Sequence, residues 1–276
     1  MRDQTKGFRF LRRHEGSSEA VNGLFPDWSG DGERWLFIVP HDDDACIGAG
    51  LLLQAAAARE IPTSVIITTD GSMGYCNEAE RERIVEIRHV ETLASLRLLG
   101  MRTVTWLGFP DCDLVRYQGR RRAVQADPAQ IAGFTGLQNA YTSELRRFRP
   151  TRLFLPTPND IHPDHKIVSQ EALISVFHAG GAIWPELGEP LRDLPGIYEM
   201  AIYCAFSGEP DLMVEADPEH FSRKLEAIAA YRSQEQIERI VDNVRSGGAA
   251  EFFKNADLRL YSPGMYASVF GRPLQK

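Results

Sequence analysis

The chain has 276 residues, 43% of them apolar and 25% charged. That is enough to bury a large core, with the balance of an ordinary globular protein. A net charge of −7 and a pI near 5.6 exclude a partner held by phosphate neutralisation, so no nucleic acid is expected. No apolar run reaches membrane-spanning length, and Met1–Phe10 lacks the apolar core of a secretory signal. Cys46, Cys76, Cys112 and Cys204 form no Cys-x-x-Cys pair. A cytoplasmic protein with reduced thiols and no integral membrane segment is therefore expected.

In chain order, residues 1–33 are charged and turn-rich and read as a peripheral lead-in, with Pro26–Gly32 marking turns. The apolar, partly β-branched run Trp35–Val39 reads as a buried strand ended by Pro40. A helix over Cys46–Arg59 follows, then a strand over Thr63–Thr69 that runs into Asp70-Gly71-Ser72. Apolar residues at helical spacing predict a helix from Glu78 to Leu99, stopped by Gly100. A strand over Thr103–Leu107 leads to Asp111, and the basic stretch Gln118–Asp127 reads as a surface excursion. The pattern continues with a helix over Pro128–Phe148, a strand over Arg152–Pro156 and a helix over His165–His178. Beyond the Gly- and Pro-rich loop Gly180–Gly196 come a late strand (Ile197–Phe206), a helix from Asp217-Pro218 to Gln234 and another to Arg245. Strand–helix alternation predicts a mostly parallel central sheet with helices on both faces, a Rossmann-like three-layer α/β sandwich. No linker separates a second domain, so 1–276 is expected to form one domain, with 180–276 as its C-terminal elaboration.

Two polar clusters each follow a strand: His41-Asp42-Asp43-Asp44, and Asn159-Asp160-Ile161-His162-Pro163-Asp164-His165. In a parallel sheet both fall on the same carboxyl edge, where α/β proteins bind ligands. Adjacent carboxylates repel unless a cation is present, and imidazole with carboxylate suits zinc. Taken singly, each cluster also fits a solvated turn or a helix cap; together at two strand ends they point to a metal.

The first cluster, with its preceding strand and Gly48, resembles the His-Pro-Asp-Asp-Glu signature of the PIG-L/LmbE-like zinc N-deacetylases. The second resembles that family's His-x-Asp-His motif. Thr69-Asp70-Gly71, Arg88-His-Val-Glu91, Leu98-Leu99-Gly100 and Tyr231-Arg-Ser-Gln234 add matches in the same order. Asp42 stands where the family has proline, and Ala45 where it has glutamate; Asp42 on its own reads as solvent-facing. The resemblance implies an LmbE-like fold and an N-acetyl hydrolase acting on an amino sugar or sugar conjugate. It implies His41, Asp44 and His165 as ligands to Zn²⁺, with Fe²⁺ equally served by such donors. Asp43 is then the general base, His162 when protonated the oxyanion stabiliser and Asp164 its orienting partner. Arg88 and Asp111 correspond to substrate-contacting positions, although Arg88 could instead pair with Glu91 on its helix. Two other readings stand beside this one: a Mg²⁺- or Mn²⁺-dependent nucleotide-sugar transferase or phosphohydrolase using Asp42–Asp44, and a catalytically silent binding module. His41, His162 and His165 weigh against the first, since hard cations prefer oxygen. Homo-oligomerisation is left open.

Overall fold

The computed structural model describes residues 5–256, 258 and 261–271. Strands β1 (Phe8–Arg12) and β2 (Ser17–Ser18) precede the apolar run, which forms β3 (Trp35–Val39). Then come α1 (Asp44–Ala58), β4 (Thr63–Thr69), α2 (Ile84–Leu98) and β5 (Val104–Phe109). A small ribbon of β6 (Arg121–Arg122) and β7 (Phe134–Thr135) leads to α3 (Leu137–Phe148), β8 (Arg152–Pro156) and α4 (Pro163–Gly180). The remainder is β9 (Gly196–Met200), β10 (Leu212–Ala216), α5 (Pro218–Ile228), α6 (Ile237–Gly247) and β11 (Ala250–Asn255).

The main sheet has the order β2-β1-β10-β11-β9-β8-β3-β4-β5. From β5 to β9 the pairings are parallel, and from β9 through β11, β10 and β1 to β2 they are antiparallel. The sheet is thus mixed, which corrects the mostly parallel sheet expected from the alternation of strands and helices. The reason lies in the residues. β3 and β8 are buried along their whole length, as parallel strands covered on both faces must be. β1, β10 and β11 alternate buried with more exposed positions, the signature of antiparallel strands with one face open.

Successive residues of β3 supply opposite layers. Trp35, Phe37 and Val39 pack with α1 and α5, whereas Leu36 and Ile38 pack with α3 and α4. The ring of Phe37 stacks on Phe154 at 4.4 Å, and truncating either to Ala would cost about 3–5 kcal/mol. Within the 1–33 lead-in expected to be peripheral, described residues enter the core: Phe8, Phe10, Val21, Leu24 and Phe25 are buried in the same cluster as Trp35. Glu33 is buried too, where it accepts from Trp35 Nε1 (2.8 Å) and Arg152 Nη2 (3.0 Å).

Several boundaries move for local reasons. The helix expected from Pro128 begins only at Leu137, because Gly133 (φ 81°) and Gly136 (φ 110°) hold left-handed backbone. The helix expected from Glu78 is a short turn over Glu78–Glu80 followed by α2. Gly100 ends the helical segment as expected, at φ 79°. The late strand stops at Met200, and α5 stops at Ile228, so residues 201–206 and 229–236 are free to form loops. No helix among the described residues is long and apolar enough to cross a membrane.

Candidate active site and metal centre

The loops after β3, β4, β5, β8 and β9 emerge on one edge of the parallel half, joined by the α5–α6 loop. They enclose a cleft of about 250 Å³ lined by His41, Asp42, Asp43, Arg88, Asp111, His162, Tyr203 and Gln234 among others. Pro40 ends β3, and the chain turns at once into α1, whose first residue is Asp44. That turn folds Asp44 back so that its Oδ2 accepts from the His41 amide at 2.8 Å. On the other side His162 is the N-cap of α4, with Pro163 at the first helical position. His165 lies one turn in, on the buried side.

The two imidazoles meet there. His41 Nδ1 lies 3.3 Å from His165 Nε2. Asp44 bridges them, with Oδ2 3.3 Å from His41 Nδ1 and Oδ1 3.3 Å from His165 Nε2. Asp44 Oδ1 is buried and makes no hydrogen bond among the described residues. Ring nitrogens of His41, His162 and His165 all fall within 4.8 Å of one another, and His41, Asp111 and Asp164 form a second such group. Two imidazoles and a carboxylate aimed at one point, with a buried oxygen to spare, fit a zinc-type ion.

Each histidine is held from behind. His165 Nδ1 lies 3.2 Å from Asp160 Oδ2, and His41 Nε2 lies 3.3 Å from Asp111 Oδ1 and 3.6 Å from Asp164 Oδ2. A carboxylate behind a ligating imidazole fixes its tautomer and raises its basicity. Burial disfavours the charged form of His41, but Asp111, Asp164 and Asp44 outweigh it and hold its pKa well above the usual histidine value. For His165 the same burial is overcome by Asp44 and Asp160, and its pKa is raised to about 9. Burial would raise Asp44, yet His165 and His41 push it below the ordinary carboxylate range. Asp160, also opposed by burial, is brought down to about 2 by His165 and the His162 amide.

Asp43 is different. It is buried, its Oδ2 accepts from Gln234 Nε2 at 2.7 Å, and its Oδ1 has no partner among the described residues. Burial, and then the charge of Asp44, raise its pKa above the ordinary value. A buried carboxylate with a free oxygen and a raised pKa, beside a metal-type cluster, has the properties of a proton acceptor. His162 accepts the Asp164 amide at Nδ1 (3.2 Å), which assigns the proton to Nε2. Burial, followed by the charges of His41 and His165, lowers its pKa.

The structure therefore brings His41, Asp43, Asp44, Asp111, His162, Asp164 and His165 together, with Arg88 at the cleft wall. It changes some of their partners. Asp164 meets His162 through its backbone amide; its carboxylate instead accepts from the Cys112 amide (2.9 Å) and faces His41. Arg88 does not pair with Glu91: its Nη2 donates to Gly74 O (3.0 Å), its Nε is unpartnered among the described residues, and Glu91 accepts from Ser233. Asp111 engages His41 and accepts the Met73 amide at 3.2 Å. Asp42, read as solvent-facing, is buried, with Oδ1 accepting from Thr92 Oγ1 (3.1 Å) and Trp106 Nε1 (3.3 Å).

Sequence reasoning missed Asp160, Gln234 and Tyr203. Asp160 stood two residues before His162 in the polar cluster, so spacing could have found it. Gln234 lay in a quoted stretch but received no role. Tyr203 gave no signal, being an isolated tyrosine inside an expected strand. Its ring lies 5.1 Å from that of His165, and the charge of Asp43, then burial, raises its phenol pKa.

Over 234 residues the chain is 27% identical to the 1D-myo-inositol 2-acetamido-2-deoxy-alpha-D-glucopyranoside deacetylase 2 of Saccharopolyspora erythraea, covering 74% of this chain and 84% of that one. It is 26% identical over 154 residues to the diacetylchitobiose deacetylase of Thermococcus kodakarensis, covering 54% of this chain. Here the alignment spans about half of the relative, 51% of its length. Among solved structures, a conserved protein of Thermus thermophilus matches at a TM-score of 0.65 and 27% identity, covering 84% of this chain and 98% of that one. The family model described as PIG-L, GlcNAc-PI de-N-acetylase, matches residues 36–176. That span holds both polar clusters, Arg88 and Asp111, and takes in just over half of the sequence; the chain belongs to the PIG-L family.

Proposed function

We propose that the chain, acting as a single catalytic unit, is a metal-dependent N-deacetylase that hydrolyses the N-acetyl group of an amino sugar or sugar conjugate. The observation that carries this reading is the convergence of His41, Asp44 and His165 beside the unpartnered Oδ1 of Asp43. His41, Asp44 and His165 are the residues that would hold the ion, which we assign as zinc. When bound, zinc polarises an amide carbonyl and makes water more acidic.

The protein's own groups do the rest. Asp43 Oδ1 takes a proton from the attacking water as its oxygen bonds to the acetyl carbon. The C–N bond then breaks as Asp43 returns the proton to the departing nitrogen, giving acetic acid and the free amine, which leave as acetate and ammonium once the acid proton passes to the amine. Gln234 keeps Asp43 from rotating away. Neutral His162, its proton on Nε2, donates to the carbonyl oxygen as negative charge develops there, so it need not be protonated for this role. Asp160 orients His165, and Asp111 with Asp164 orients His41. Arg88, at the cleft wall, is assigned to a substrate hydroxyl. The small, polar cleft suits a hydrophilic substrate.

The test is acetate and amine release from a panel of N-acetylated sugars and conjugates, run with metal analysis of the purified protein. Asp43→Ala is expected to retain zinc and lose about 10²–10⁴ in rate. Zinc retained with undiminished turnover would remove Asp43 from the mechanism. Phosphoester cleavage that depends on magnesium would replace the deacetylase reading altogether.

A further inference from the structure

The cleft is lined mainly by polar and charged side chains, and Met73 and Tyr203 are the large apolar surfaces in its wall. Tyr203 stands there, on the loop between β9 and β10, 45% exposed although its ring packs at 31° over His165. The loop is fastened in place: the Tyr203 amide donates to Asp160 Oδ2 at 3.1 Å, and Asn159 Nδ2 donates to Ala205 O at 2.8 Å. The carboxylate that orients His165 therefore also sets the position of Tyr203. The residue lies outside the 36–176 span matched by the family model, and the proton transfers assigned to Asp43 and His162 make no use of its ring.

We propose that Tyr203 is a specificity-determining platform, its flat apolar face receiving the C–H face of the substrate's pyranose ring next to the scissile amide. This rests on the deacetylase reading above and deepens it. A pyranose has polar edges and comparatively apolar faces. An open aromatic surface beside Arg88 and Asp111 serves the faces as those side chains serve the edges. The contact is made equally in the ground state and the transition state, so it belongs in KM and not in kcat.

The experiment compares the zinc-loaded protein with Tyr203→Phe, Tyr203→Leu and Tyr203→Ala on a methyl glycoside of N-acetylglucosamine, with kcat and KM measured separately. Zinc content and thermal unfolding are recorded for each. Tyr203→Phe keeps the platform and is expected within about twofold of the parent. Tyr203→Leu keeps bulk without a flat face and, like Tyr203→Ala, is expected to raise KM about tenfold or more, equivalent to about 1.4 kcal/mol, with kcat nearly unchanged. Three results would overturn the proposal: an unchanged KM in Tyr203→Ala, a fall confined to kcat or to zinc content, or a loss in Tyr203→Phe equal to that in Tyr203→Ala. The last would transfer the role to the hydroxyl. If the parent protein released no acetate from any pyranoside, the deacetylase reading would fail instead. Calorimetric binding of the same glycoside to parent and Tyr203→Ala would then still decide the platform.

Discussion

The hydrogen bond from Gln234 to Asp43 is the point at which mechanism and fold can be tested together. Asp43 is buried, Oδ1 is unpartnered, and Oδ2 has Gln234 Nε2 at 2.7 Å. That bond favours the ionised carboxylate, against burial and the Asp44 charge that favour the neutral acid. Replacing Gln234 with Leu removes the donor and leaves both oxygens bare, so the pKa of Asp43 rises further. Proton acceptance needs the carboxylate, and a raised pKa means less of it at any given pH. The acid limb of the kcat/KM profile must therefore move to higher pH. A buried hydrogen bond to a charged group is worth about 1.5–3 kcal/mol, so kcat/KM near neutral pH is expected to fall about tenfold or more. Gln234→Glu sets a second carboxyl against Asp43 and should move the limb further in the same direction. The assay is initial acetate release across pH, with zinc content checked at each end. An acid limb that stays in place in Gln234→Leu, with zinc retained, would show that Asp43 is not the titrating base.

Other expectations concern the proposed metal site and the framework around it. Asp160→Asn weakens the hold on His165 and should cost about 10–100-fold in zinc affinity by competition with a chelator, whereas His165→Ala should abolish stoichiometric zinc. Arg146 is buried and donates to the carbonyls of His178, Ala179, Gly181, Ile183, Trp184 and Gly188, so Arg146→Ala should lose about 3 kcal/mol or more in urea unfolding. Arg146→Lys should recover little, because an ammonium has too few donors for that fork. Glu33 is pulled below its ordinary value of 4.5: burial opposes this, but the Ser29 amide, Trp35 and Arg152 outweigh it. A depressed pKa gives stability that is complete above about pH 4.5 and is lost as pH falls below it. Glu33→Gln should then be about 3 kcal/mol less stable near neutral pH, and the gap should narrow in acid unfolding measurements below about pH 4.5.

Much of the site could be read from residue order because its chemistry is local. His41, Asp43 and Asp44 occupy a single strand-to-helix turn, and His162, Asp164 and His165 occupy another. Parallel topology then brings the two turns together. Partners set by tertiary packing were not readable. Nothing in the spacing says that the Asp164 carboxylate turns to Cys112 and His41, or that Arg88 reaches Gly74 and leaves Glu91 to Ser233. The antiparallel half of the sheet escaped for a related reason. β10 and β11 are short and mix Glu and Lys with apolar residues, so neither offers the continuous apolar run that reveals β3. The N-terminal strand was missed because Phe8 and Phe10 are flanked by arginines, whose charge masks a two-residue apolar alternation.

The run Asp42-Asp43-Asp44 shows how the fold resolves a conflict present in the sequence. Three adjacent carboxylates cannot share one low-dielectric space at acceptable cost. At the turn after β3 they diverge. Asp44 goes to His41 and His165, and Asp43 to Gln234 and the cleft. Asp42 goes back towards Thr92 on α2 and Trp106 on β5. Its neighbours make room for it: at Gly71, held at φ 67°, an added Cβ would lie 2.6 Å from Asp42 Oδ2. Tyr231, which donates to the Asp42 carbonyl at 2.6 Å, ties this corner to the loop that carries Gln234. Where the family has proline, this chain thus replaces a stiff turn with hydrogen bonds to two other elements of the fold. Ala45, in place of glutamate, is buried and adds no fourth negative charge to the turn. The two departures are physically linked: a carboxylate accommodated at Asp42 is easier to bear when the charge at position 45 is gone.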